Sequence, residues 1–437
     1  MNLAPSQSRN NHFADALRNH FVIAWVLYWI VSAALPVSAV EPLHVLEAFL
    51  LQLCFVLLVF LGLSLPTAGV LLKSSPQASS RHIAHWIAWS LLLAIIGLSL
   101  QLFDKIFVQG IDYSQGIAAA RVQWSALGES RHGQASSLAS GSAYLLGSAY
   151  FATILLLLHE RCALRTGPRL VAWALVILLL ISNLMLTGGR SGLLFVFSFV
   201  FAMCARRGGC LAALVRVPLH WLILGSISVL AFVSYALYVF YARAALSGVT
   251  PYQYALDFLP YLGIMPGQTL EGLDPDSAWS SLLALTVLAA SYLTHSFYSM
   301  MAILDTPPEG NGILFSHIQS LIAKIGLLTT PDQEWFLSGR FPSLPGALYH
   351  QWGVVGVFLG AAALGLISYF VVRWHSKRPN DPLSLVAFGL MHAILVLSPL
   401  LLAADFLNFP FIVTSATAAS VLALITMHCG FRSQRLN

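Results

Sequence analysis

Charge is what this chain has least of. Only 9% of its 437 residues are Asp, Glu, Lys or Arg, where a soluble domain carries about 25%. That shortage excludes an ordinary solvated surface. Also missing are a charge block, a low-complexity tract and any obvious internal repeat. The first of these absences leaves no basic patch for nucleic acid. There is no Walker loop, no Gly-x-Gly-x-x-Gly after a strand and no His-Glu-x-x-His, so nucleotide-binding and zinc-protease machinery are not expected. No metal and no cofactor is implied.

What fills the chain is apolar residues, 58% of the total, in runs long enough to span a bilayer. Ten runs stand out: Phe21–Val40, Val45–Leu72, Ile83–Phe103, Leu138–Leu158, Leu170–Leu186, Leu193–Ala205, Trp221–Tyr241, Pro345–Val372, Leu383–Ala404 and Phe409–Met427. The expected class is therefore an all-α polytopic membrane protein of about 10–12 transmembrane helices. Residues 1–437 make a single integral membrane domain. A polar loop is expected at 104–137 and a large outer loop lobe at 242–344.

With the N-terminus inside and strict alternation, 15 of the 22 Lys and Arg fall on the cytoplasmic side. The seven outside are Lys105, Arg121, Arg131, Arg190, Arg243, Lys324 and Arg340. The first twenty residues contain acid and no small-residue cleavage site, which reads as a retained cytoplasmic tail. Both termini are then cytoplasmic. The five cysteines fall in a span or near the inner face, so no outer disulfide is expected. Ser280–Leu304 strains this alternation. Either it lies in, or re-enters from, the outer face, or it crosses and Ile313–Leu328 crosses back. Its Ser, Thr, His and Tyr interruptions favour the first.

The outer cations are the candidate binding groups. Arg190 sits in Thr187-Gly188-Gly189-Arg190-Ser191-Gly192, a connection too short to be an independent loop. A permanent guanidinium beside hydrocarbon is costly, and its planar fork suits phosphate. Snorkelling at a helix end is the bland account. Arg340, Arg243 and Arg121 are further candidates, against readings as a loop salt bridge, an interfacial anchor and a solvated charge. As general bases, His295, His350, Asp332 and Glu334 compete; a lone histidine is more often a packing residue. His82 and His85 read as interface residues, Asp274-Pro275-Asp276 as a solvated turn, and Gly356-x-x-x-Gly360 as a helix-packing notch.

Two stretches resemble one family. Leu186-Thr187-Gly188-Gly189-Arg190-Ser191-Gly192-Leu193-Leu194 resembles the T-G-S-R-S/G helix junction of bacterial oligosaccharide repeat-unit polymerases, the Wzy-type O-antigen polymerases. Phe341-Pro342-Ser343-Leu344-Pro345-Gly346-Ala347-Leu348-Tyr349-His350-Gln351-Trp352-Gly353-Val354-Val355-Gly356 resembles that family's P-S-x-x-G-x-x-Y…G-x-x-G approach to a late span. The likeness covers about 170–374. It departs from members having an Arg with a Gly eleven positions later in two outer loops, and from the histidine motif of the related ligases.

The resemblance implies a GT-C-like, metal-independent glycosyltransferase in a Gram-negative inner membrane, with its site facing the periplasm. Its substrates would be undecaprenyl-diphosphate-linked oligosaccharides, joined into O antigen or a similar surface polysaccharide. Membrane lipid, and a chain-length regulator, would be its partners. Arg190, Arg340, Arg243 and Arg121 would bind the diphosphate. The alternatives are an O-antigen ligase delivering glycan to a lipid A core, and a transporter or flippase of lipid-linked sugars. A transporter would be expected to show an inverted repeat and broken helices; the sequence shows no such repeat.

Overall fold

The computed structural model describes residues 5–40, 44–65, 80–130, 138–159, 164–187, 191–206, 219–308, 314, 342–401 and 408–433. Helix dominates: a bundle, with one short β-ribbon at one end. α1 (Pro5–Ala34) leads through β1 (Val37–Ala39) into α2 (Val45–Leu63). α3 (Ser80–Phe103) tightens into a π-helical turn, Asp104–Val108, and α4 (Ile117–Ser130) follows. Next come α5 (Leu138–Gly147), α6 (Ala149–Leu158), α7 (Thr166–Thr187), α8 (Ser191–Arg206) and α9 (Leu219–Leu246). α10 (Pro251–Phe258), β2 (Ile264–Pro266) and α11 (Gln268–Glu271) precede α12 (Ala278–Leu304). The chain closes with α13 (Leu344–Lys377), α14 (Pro382–Leu397) and α15 (Asn408–Ser433).

Among the described residues, eight helices are long and apolar enough to cross a membrane, and 192–204, 233–246 and 382–397 are shorter apolar helices. Many apolar side chains point outward, among them Leu46, Phe107, Leu170, Leu359 and Ile425. Such a surface suits hydrocarbon and not water. The protein is a multi-pass, all-α membrane protein.

Small residues set the closest helix contacts. A Cβ added to Gly62 of α2 would stand 2.6 Å from the Cα of Gly365 in α13, and one on Gly97 of α3 would stand 2.1 Å from the Gly147 nitrogen in α5. Without water to drive association, this backbone-level approach supplies the van der Waals packing. Two of the expected spans are interrupted. Residues 138–158 form α5 and α6, which meet at Ser148. α13 breaks at Gly353, where φ is +63° and ψ −156°.

The two ends of the bundle differ. At the ribbon end β1 pairs antiparallel with β2, Val37 opposite Pro266 and Ala39 opposite Ile264. The Gly267 N–H donates to the Pro36 carbonyl at 3.0 Å. α12 belongs to this end along most of its length. Its N-terminal half joins a second core of Tyr252, Leu259, Ile264, Leu285 and Leu288. At its other terminus Asp305 meets His44, at the start of α2, at 2.7 Å. α12 is about 40 Å long at 1.5 Å per residue, yet both halves contact the same end of the bundle. That is the arrangement expected of a helix lying in one face.

At the opposite end Arg18 donates to the Ser64 hydroxyl, the Arg169 guanidinium to the Leu157 carbonyl, and His159 lies 3.3 Å from the Pro379 carbonyl. Arg165, Arg373, Lys377 and Arg378 gather there too. The ribbon end holds Lys105, Arg243 and the helix bearing Arg121. Among the described residues, basic positions thus stand at both ends of the bundle.

Candidate functional site

The stretch Pro342–Gly356 is the most elaborated part of the described chain. Ser343 caps a helix whose second residue is Pro345; the Gly346 N–H donates to the Ser343 Oγ at 3.2 Å. Proline is well placed there, where no intrahelical donor is needed. From Leu344 the chain climbs to Gly353, turns sharply, and runs down α2 as residues 354–377. The turn needs glycine: this φ/ψ region is essentially closed to other residues. Leu348 of the first arm fills the notch made by Gly356 and Gly360; a Cβ at either glycine would meet Leu348 at 2.5 Å. Residues 342–348 are all buried. The single late span expected at Pro345–Val372 is therefore a buried half-helix folded against a full one.

The half-helix begins inside the bundle. The Leu344 N–H donates to the Ser398 carbonyl at 2.9 Å, and the Ser398 hydroxyl accepts from the Trp25 indole at 3.0 Å. Trp25 lies nine residues before the end of α1, about 14 Å from the ribbon end. Beside it the Tyr28 hydroxyl pairs with Ser296 Oγ at 2.7 Å, and Ser296 donates to the Pro399 carbonyl at 2.6 Å. The Trp29 indole donates to Gln52, whose amide reaches the Met300 sulfur. This polar seam ties α1, α2, α12, α14 and the half-helix together. Buried polar groups must be paired to be tolerated in hydrocarbon. The N-terminus of the half-helix is itself satisfied, by Ser343 and Ser398, so it is a structural joint and not an anion site.

His295 is on α12 and His350 on the half-helix, and both are buried. His295 Nδ1 lies 2.6 Å from the Tyr292 carbonyl and must be the protonated nitrogen. Nε2 is then the basic one. Arg243 ends α9, half-buried, one turn beyond Phe240, whose ring packs 6.0 Å from Tyr292. Arg121 is in α4, which also brings Trp124 over the buried Lys105 ammonium at 4.1 Å. The Tyr113 hydroxyl donates to the Leu186 carbonyl at 2.9 Å, tying this loop to the end of α7 that precedes Arg190. Arg190, Arg340, Asp332 and Glu334 lie outside the described residues.

One minor expectation, the Asp274-Pro275-Asp276 turn, is resolved. Asp274 Oδ1 accepts from the Asp276 N–H at 3.1 Å, a solvated turn. Among the described residues no group of three His, Cys, Asp or Glu is placed to hold a metal. An apolar cavity of about 480 Å³ between α3 and α7, lined by Ala84, Leu91, Pro168 and Leu175, is not part of the polar seam. The seam has no signature in the sequence. Single Ser, Tyr and Trp residues in apolar runs give no signal until the fold brings them together. Comparison with protein-family models, with curated proteins and with solved structures finds no match for this chain.

Proposed function

We propose that the protein is a membrane-embedded polymerase of lipid-diphosphate-linked oligosaccharides, acting at its ribbon end. The observation that carries this reading is the one-sidedness of the molecule. The half-helix, the polar seam, α12 and three basic positions crowd one end, and the other end is built like an ordinary cytoplasmic face. The Pro342–Gly356 motif, part of one of the two stretches that resemble the family, coincides with the half-helix.

In the reaction, a sugar hydroxyl of a new lipid-linked unit attacks the anomeric carbon of the growing chain. The bond from that carbon to the carrier's diphosphate breaks, and the hydroxyl proton passes to a base. Arg190, Arg243, Arg121 and Arg340 would neutralise the leaving diphosphate. His295 is a candidate base through Nε2; His350, Asp332 and Glu334 are the rivals. On the same reading the ribbon end faces the periplasm and both termini the cytoplasm. The ligase reading uses the same groups with a lipid A core as acceptor.

The break at Gly353 favours a second reading. Broken helices that expose their ends near a substrate are common in transporters, and a flippase of lipid-linked sugars would use one. A single experiment separates these: purified protein in liposomes with a synthetic undecaprenyl-diphosphate repeat unit. Glycan ladders are expected. Product only when a lipid A core is added would make it the ligase. Lipid movement with no new glycosidic bond would overturn both enzyme readings.

A further inference from the structure

A second buried polar cluster lies away from the seam, where α1, α8 and α14 meet. Ser198 Oγ is 3.0 Å from His392 Nδ1, and His392 Nε2 is 3.0 Å from His20 Nδ1. The two imidazoles meet at 84°, centroids 5.3 Å apart. Ser198 and His392 are buried, and His20 is 8% exposed. His20 Nε2 is buried and has no hydrogen-bond partner among the described residues. The reaction proposed above uses none of these groups.

The geometry is in line, not convergent. Ser198 and His20 engage opposite nitrogens of His392, so the three donors do not aim their lone pairs at one point. A metal needs convergent ligands; a proton needs a chain. Phe201 of α8 stands edge-on to His20, centroids 6.3 Å apart. Asp15 and Arg18 precede His20 on its own helix and pair with each other at 2.7 Å. Among the described residues the one titratable group acting on His392 is His20.

We infer that Ser198, His392 and His20 form a proton-holding relay, with His20 Nε2 as its open terminus. In one register His20 Nδ1–H donates to His392 Nε2, and His392 Nδ1–H donates to Ser198 Oγ. A proton that binds His20 Nε2 makes that ring an imidazolium. Its Nδ1–H can then pass to His392 Nε2. Nothing leaves the chain, the cluster gains one positive charge, and Ser198 Oγ holds the second imidazolium N–H. Six residues on from His392, just past the end of α14, is Ser398, the residue that anchors the half-helix. Proton uptake therefore occurs on the rod that positions the ribbon end, whichever reaction that end performs.

The test is nuclear magnetic resonance on full-length protein with ¹⁵N-histidine in nanodiscs, from pH 5 to pH 9. The His20 and His392 signals are assigned by their loss in His20→Gln and His392→Gln. A nitrogen–nitrogen coupling across the hydrogen bond is expected between the two rings, with both changing in one joint transition. In Ser198→Ala that transition shifts, and Ser198→Thr, which keeps the hydroxyl, restores it. Absent coupling, or rings that titrate separately or not at all over this range, would overturn the relay. Coupling and titration are read on the unmodified protein, so a poorly folding variant does not leave the matter open.

Discussion

Gly353 is the residue on which the half-helix depends. With φ at +63° and ψ at −156°, an alanine there costs about 1–3 kcal/mol of backbone strain. Gly353→Ala is therefore expected to lower the thermal midpoint and to reduce glycan ladders, with the protein still inserted. Unchanged activity would detach the half-helix from function.

Arg190 rests on chemistry alone, since it lies outside the described residues. Arg190→Ala and Arg190→Lys should both abolish ladders at normal protein levels, because an ammonium cannot reproduce a planar fork. Full activity in the lysine variant would refute diphosphate binding by that fork.

His44 gives a pH-dependent prediction. It touches Glu47 at 3.1 Å and Asp305 at 2.7 Å. The hydrogen bond to Glu47, and then that to Asp305, raise its pKa. A raised histidine contributes its ion pairs below its ordinary value and loses them as pH climbs through the raised one. Protection of residues 300–308, taken as the intrinsic base-catalysed rate over the observed hydrogen-exchange rate at each pH, should therefore fall as pH rises from 6 to 9. His44→Gln should remove that dependence; an unchanged pH profile in the variant would assign it elsewhere.

At the scale of elements, α12 and the close helix pairs carry the argument. The composition of Ser280–Leu304 suited both a crossing and an interfacial helix. Its contacts with β2, close by in sequence, near one terminus and with His44, 261 residues from Asp305, at the other tie both termini to one end of the bundle. Glycine contacts decide helix spacing in the same way. Gly62→Val must displace the backbone at Gly365, and overpacking of this kind costs about 1–3 kcal/mol. A lower unfolding midpoint in detergent is expected, with Gly167→Ala, where nothing lies within 4 Å, as the unaffected control.

For the whole molecule, the prediction is sidedness. A cysteine at Asp276, at the ribbon end, should label from the periplasm with an impermeant reagent, and one at Asn380 only after the membrane is opened. The reverse pattern would invert the proposed orientation and move the site to the cytoplasm.

The sequence by itself determined that this is a helical, multi-pass membrane protein and where most of its apolar helices lie. Those properties follow from local hydropathy and charge, which each segment carries independently of its neighbours. It also marked Pro342–Gly356 as unusual. Only the tertiary structure decided that this motif is a buried half-helix turned at Gly353, because one span and a folded-back pair have the same composition. Only the fold assembled Trp25, Tyr28, Ser296 and Ser398 into a seam, and His20, Ser198 and His392 into a relay. Pairing of buried polar groups is a property of contacts between distant segments, and no local pattern in the chain records it.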